Sequence, residues 1–195
     1  MTSGHAPTAM IADYAAGGLS PGMSLLMASH LTWCPCCRDK VARLETLGGA
    51  LFCRGEAVQP GPSCLERALE RIEAAAAPPP AAEPRDPPLP RPLCRLVPRS
   101  ADLEWQALGP GLAAHWLGGF EPERVGLMRA SPGTRLAAPA AAPEAIFVVA
   151  GALSDGGTSY GPGDLAFPDG RAPRPPEAAG EEPCLCLLLL PAGRA

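Results

Sequence analysis

Residues 74–98 read AAAAPPPAAEPRDPPLPRPLCRLVP, and no regular element can run through so many prolines. Each proline fixes its own φ, lacks the N–H that a helix interior or central strand requires, and pushes the residue before it towards extended backbone. The stretch therefore reads as an extended linker. A chain of 195 residues suits either one ordinary domain or two small ones, and the linker selects two. The expected division is residues 1–76, a Pro/Ala-rich linker over 77–98, and residues 99–195.

The two halves differ in periodicity. Before the linker the apolar spacing is helical; after it, short apolar runs are punctuated by Gly and Pro, as strands are. MIADYAAGG reads as a short helix stopped at Gly17 and Gly18. Ser20-Pro21 then supplies an N-cap and the proline favoured at the first helical position, so a second helix starts at about Pro21. A third helix is expected over DKVARLETLGGALF, with Val41, Leu44 and Leu47 towards the core. A fourth starts at Ser63, with Glu66 completing a capping box ahead of Leu65, Leu69 and Ile72.

Along the second helix Met23, Leu26, Met27, His30, Leu31 and Cys34 recur at offsets of three and four, which puts His30 and Cys34 on one buried stripe, a turn apart. Cys37 follows in SHLTWCPCCRD. Two chemistries compete for these residues. A thiol-disulfide oxidoreductase or redox sensor would use Cys34 and Cys37 at the N-terminus of a helix that follows a buried strand, where the helix dipole lowers the attacking thiol's pKa. Here the preceding segment is an amphipathic helix, and that reading gives His30 no task. Zinc prefers four N/S ligands, and His-x-x-x-Cys-x-x-Cys supplies three of them. Candidates for the fourth are His5, Cys36, Cys53 and Cys64. Cys36 adjoins Cys37, which makes joint tetrahedral binding awkward; His5 lies ahead of the first helix, within reach if that helix packs antiparallel to the second.

The net charge of −4, without a Lys/Arg cluster, gives direct nucleic-acid binding no support and favours a protein partner. Nothing at the N-terminus reads as a signal peptide, and the apolar run Cys184–Leu190 is too short to span a bilayer. A cytoplasmic protein is expected, in which eight cysteines act as reduced thiols or metal ligands.

GHAPTAMIADYAAGGLSPGMSLLMASHLTWCPCCR resembles the N-terminal domain of zinc-binding anti-sigma factors of the ChrR type. These carry a His, a Tyr-Ala-Ala-Gly segment and Ala-x-His-Leu-x-x-Cys-x-x-Cys-Arg, matched here by Tyr14-Ala15-Ala16-Gly17, Ala28, His30, Leu31, Cys34, Cys37 and Arg38. His5 stands where the family's first zinc ligand precedes the tyrosine. The likeness continues through Leu47-Gly48-Gly49 to Trp105 and Leu108-Gly109. It implies an α+β, two-domain protein: a small zinc-stabilised helical bundle, then an all-β cupin-like barrel. It also implies one structural Zn2+ on His5, His30, Cys34 and Cys37. The implied function is a non-enzymatic regulator that forms a heterodimer with an extracytoplasmic-function (ECF) sigma factor and blocks its access to RNA polymerase core. Leu47, Leu51 and Phe52 are free to serve either that partner or the domain's own core.

In the second half the cupin likeness rests on Ser131-Pro132-Gly133, Glu144–Gly151, Tyr160-Gly-Pro-Gly-Asp164 and Cys184-Leu-Cys186. Cupins bind metal through His-x-His-x-x-x-Glu and a later histidine. Counting back from Glu144, the two histidine positions hold Ala138 and Ala140, and Pro173 stands near the third. His115, the one histidine of this half, lies upstream of both motifs. No metal is expected in the cupin-like domain, since Glu144 alone cannot hold one. Cys184 and Cys186 share one side of a strand and are expected in the core.

Overall fold

Helices come first and strands afterwards in the computed structural model, which describes residues 4–75, 88–97, 103–136, 142–168 and 175–192. Helix α1 (Thr8–Ala15) ends where Gly17 turns to φ +72° and the Gly18 N–H donates to the Asp13 carbonyl at 2.7 Å. Helix α2 (Pro21–Trp33) opens as expected, with the Ser20 hydroxyl accepting from the Met23 N–H at 3.2 Å. Cys34 is extended, as a residue before proline prefers, and this breaks the helix.

Helix α3 (Pro35–Phe52) therefore starts four residues earlier than the Asp39 start expected from its apolar pattern. The cause is local: Pro35 is preset for the first helical position, and the Cys34 sulfur accepts from the Cys37 N–H at 3.5 Å. Helix α4 (Cys64–Ala74) begins where expected, but the Ser63 side chain makes no capping hydrogen bond, so the capping box with Glu66 does not form. Inside the stretch read as an extended linker, Arg91–Cys94 makes one helical turn, α5, with Leu93 and Val97 buried. Pro92 is tolerated there because the first turn of a helix needs no N–H from it. Residues 76–87 and 98–102 of that stretch and its flank lie outside the described residues.

The strands are β1 (Gln106–Gly109), β2 (Leu112–Leu117), β3 (Arg124–Ala130), β4 (Ala145–Ala150), β5 (Ala152–Asp155), β6 (Thr158–Tyr160), β7 (Leu165–Ala166), β8 (Glu177–Ala179) and β9 (Cys184–Leu190). They form two antiparallel sheets, ordered β1-β2-β3-β9-β4-β7 and β6-β5-β8, and among the described residues no ladder closes the two into one cylinder.

The large sheet is buried on both faces, which explains why AIFVVA and CLCLLLL are apolar without alternation. On one face Met128, Ile146, Val148, Cys184, Cys186 and Leu188 pack with Leu153 and Ala178 of the small sheet. On the other, Val125, Leu127, Phe147, Val149, Leu187 and Leu189 share a core with Leu26 and Met27 of α2 and with Leu93 and Val97. Burying Leu26 and Met27 completely contributes about 1.5–3 kcal/mol each. The helical and sheet parts thus pack through α2.

Gly22 sets how closely α2 can approach. A Cβ there would lie 2.7 Å from Leu189 Cδ1, 2.8 Å from Glu123 Oε2 and 2.9 Å from Val125 Cγ2, while the Gly22 N–H donates to Glu123 Oε2 at 3.1 Å. At the far end of the helix, the Trp33 and Phe147 rings sit 5.6 Å apart. Gly22→Ala is expected to lower stability, because overpacking costs about 1–3 kcal/mol and outweighs the gain of up to about 1 kcal/mol in helix propensity. Thermal unfolding of the full chain measures it, and an unchanged or higher Tm would contradict this packing.

Helix α3 leaves the core partway along. Val41 is buried and Leu44 partly so, but Leu47, expected in the core, is 58% exposed. From Glu45 to Ala75 every residue is exposed. The expected inward face of α3 is cut short because no other element of the described chain lies over its last turns.

Candidate metal centre

His5 is carried by the segment ahead of α1, His30 by the last turn of α2, Cys34 by the break between α2 and α3, and Cys37 by the first turn of α3. One ligand atom from each lies within 4.8 Å of all the others. His30, Cys34 and Cys37 are fully buried, while His5 closes the group from the exposed side. His5 Nδ1 is 3.4 Å from Cys34 Sγ and 3.7 Å from Cys37 Sγ. Around a tetrahedral zinc, with Zn–S of about 2.3 Å and Zn–N of about 2.0–2.1 Å, sulfur and nitrogen ligands stand about 3.6 Å apart. The two contacts bracket that spacing.

His30 supplies the sharpest test of fit. Its Nδ1 lies 2.7 Å from the Gly163 carbonyl oxygen. A carbonyl can only accept, so Nδ1 carries the proton, and in the neutral ring Nε2 is left with a lone pair. Burial pulls the His30 pKa below the ordinary histidine value, against the opposing backbone hydrogen bond, which favours that neutral form. Nε2 is buried and has no hydrogen-bond partner among the described residues, although a buried polar nitrogen ordinarily has one. A metal ion would satisfy it. Burial also pushes the Cys37 thiol up, the backbone hydrogen bond at Ala6 pulling the other way, so a thiolate in this position calls for a compensating cation.

The other sulfur candidates stay outside this group. Cys36, Cys53 and Cys64 are exposed free thiols, and Cys184 and Cys186 are buried between the sheets. The Cys-x-x-Cys pair does occupy a helix N-terminus, but the element before it is α2 rather than a strand, and two imidazoles join the thiols. Two residues of the centre's surroundings escaped the sequence reading: Gly163, which fixes His30, and Asp164, whose Oδ1 accepts from the Gly4 N–H at 2.8 Å. The Tyr160–Asp164 motif marked a turn, but nothing local ties a turn to a histidine 133 residues away.

In the sheet part, Glu144 is exposed and its N–H donates to the Leu189 carbonyl. Ala138, Ala140 and Pro173 lie outside the described residues. His115 Nδ1 is 3.1 Å from the Glu104 carbonyl oxygen, with the Trp105 ring edge-on to the imidazole. Among the described residues no helix is long and apolar enough to cross a membrane.

A second feature lies further along the helical part. Beyond the buried start of α3, Leu47, Leu51 and Phe52 are exposed, Phe52 by 87%, and α4 buries none of its residues. Leu65, Leu69 and Ile72 recur at offsets of four and three, forming an apolar stripe on α4 with 66%, 50% and 69% exposure.

No protein-family model matches the chain. The anti-sigma-E factor ChrR of Cereibacter sphaeroides is 31% identical over 193 residues, covering 94% of this chain and 87% of that protein. A crystal structure of Rhodobacter sphaeroides SigE in complex with the anti-sigma ChrR superposes over 98% of this chain and 100% of that one, with TM-score 0.78 and 27% identity. KdgF from Halomonas sp. aligns with 49% of this chain and 93% of its own at TM-score 0.37 and 20% identity, a likeness too loose to carry a functional argument. On identity and coverage together, the chain belongs to the family of ChrR-type anti-sigma factors.

Proposed function

We propose that this protein is an anti-sigma factor that binds an ECF-type sigma factor and denies it RNA polymerase core. The observation that carries the reading is the bare apolar stripe of α4, with the exposed end of α3 before it. An isolated helix of 11 residues is marginal in water, and this one has no buried residue to hold it. A stripe of Leu65, Leu69 and Ile72 at helical spacing suits a groove on a folded partner. The family's crystal structure, in which ChrR is held in complex with SigE, supports a sigma factor as that partner.

His5, His30, Cys34 and Cys37 hold one structural Zn2+. Four protein ligands leave no open position for substrate or water, so the ion supports folding rather than catalysis, and the protein acts by binding. The zinc ties the segment before α1 to α2 and α3, where the local core is limited to a few side chains such as Ile11 and Val41. Residues 1–76 form the sigma-binding unit and residues 99–195 a cupin-like β-barrel; residues 77–98 connect them.

Co-expression of the full chain with the ECF sigma factor of its own genome, followed by copurification and run-off transcription, tests this reading. A zinc-loaded complex unable to support transcription is expected. A sigma factor that neither copurifies nor loses activity would refute it, and a zinc-free protein that reduces disulfides catalytically would favour the Cys34/Cys37 oxidoreductase instead.

A further inference from the structure

The metal ligands all come from the first 37 residues, yet groups that bond His30 and the residue before His5 come from the sheet part. The turn between β6 and β7 reaches the centre at two points. At the first, the Gly163 carbonyl accepts the Nδ1 proton of His30 at 2.7 Å and so aims Nε2 at the other ligands. At the second, Asp164 uses both carboxylate oxygens: Oδ1 accepts from the Gly4 N–H at 2.8 Å, and Oδ2 from the Gly161 N–H at 2.9 Å. The Leu165 N–H donates to the Gly4 carbonyl at 3.1 Å, so the residue just before His5 is bonded through both its backbone groups.

The fit around Gly4 is close. A Cβ there would stand 2.7 Å from the Leu165 carbonyl oxygen and 3.0 Å from Asp164 Cβ. The same turn is latched to β4, with the Gly163 N–H donating to the Val148 carbonyl at 2.9 Å and the Val148 N–H to the Asp164 carbonyl at 3.0 Å. Val148 belongs to the core between the sheets. A continuous set of hydrogen bonds thus runs from His30 and the backbone beside His5 into that core.

We infer that the Gly161–Asp164 turn is the outer shell of the metal centre, with Asp164 as a positioning residue for His5 and the Gly163 carbonyl as the group that orients His30. This rests on the zinc reading of the four ligands. Partners behind metal-binding residues hold ring orientation and tautomer, and their loss typically weakens metal affinity 10–100-fold. Coupling of this kind is reciprocal: if the turn tightens metal binding, metal must tighten the turn. Disturbance inside the sheet part therefore reaches the zinc, and zinc loss reaches the sheet part, although the two share no ligand.

The test uses the full chain and zinc or cobalt alone. Asp164→Ala is expected to lose zinc to a competing chelator about 10–100-fold more readily than wild type. Asp164→Asn should fall between, since its amide keeps an acceptor for one N–H but turns a donor towards the other. Gly4→Val, which forces the docked segment away from the turn while leaving the Asp164 carboxylate in place, should resemble Asp164→Ala, and the Co2+ ligand-field bands of both variants should shift from the tetrahedral wild-type pattern. In wild-type protein, zinc should slow hydrogen exchange at Gly161, Gly163 and Leu165 as well as around the ligands, a readout that survives even if a variant fails to fold. Retention within twofold of wild type in Asp164→Ala and Gly4→Val, or protection confined to residues 4–41, would overturn the inference. A wild-type Co2+ complex without thiolate charge-transfer bands would instead overturn the four-ligand reading, and this inference with it.

Discussion

Replacing Leu65, Leu69 and Ile72 together with serine is expected to abolish copurification of the sigma factor while leaving zinc content and thermal stability unchanged. The second half of that expectation follows from exposure: no residue of α4 is buried, so its stripe has little packing among the described residues to lose. The first half follows from area. Side chains of this size contribute about 1.5–3 kcal/mol each when fully buried, so three of them carry several kcal/mol, or at least about a 1,000-fold weakening on the scale of 1.4 kcal/mol per tenfold. Leu69→Ala alone should cost about 10-fold or more, and Phe52→Ala tests whether the end of α3 belongs to the same surface. Pull-down and titration calorimetry read the effect. A triple variant that binds with wild-type affinity would show that the sigma factor docks elsewhere.

Removing a zinc ligand should also release the sigma factor, but through loss of zinc and of folding. Cys34→Ser and His30→Ala each leave three ligands around a buried site, and structural zinc in small folds supplies about 10–16 kcal/mol of apparent binding energy. The helical part has little else to hold its N-terminus, because α1 buries only Ile11 and α3 only Cys37 and Val41. Either variant is expected to lose its zinc, unfold its N-terminal helices and release the sigma factor. Cys36→Ser, at an exposed thiol outside the ligand group, should keep all three properties. Elemental analysis and circular dichroism with and without chelator check this. Full zinc content in Cys34→Ser would remove that residue from the site, and zinc loss in Cys36→Ser would add one.

Much of the centre was legible because it is local. His30 and Cys34 lie four residues apart and Cys37 three further on, so short chain separation keeps the three together even across the break at Cys34. The strands at Ala145–Ala150 and Cys184–Leu190 were legible for a similar reason, since an apolar run bounded by turns and buried on both faces has few other uses. The start of α3 was not. Its apolar pattern begins after Asp39, and it was the pairing of Pro35 with the Cys34 cap that drew the helix back. Leu47 was misplaced because helical spacing marks a face without saying what covers it.

The sequence by itself determined the proximity of His30, Cys34 and Cys37 and the apolar stripes of α2, α3 and α4, consequences of short chain separation and of a 3.6-residue period. Only the tertiary structure decided that His5 comes to within 3.4 Å of Cys34, that a carbonyl from Gly163 aims His30, and that the stripe of α2 is covered by the sheet while that of α4 is left bare. The physical reason is common to all three: backbone periodicity sets which side of an element is apolar, but what meets that side is chosen by packing between residues far apart in the chain, and for α4 the described residues offer none.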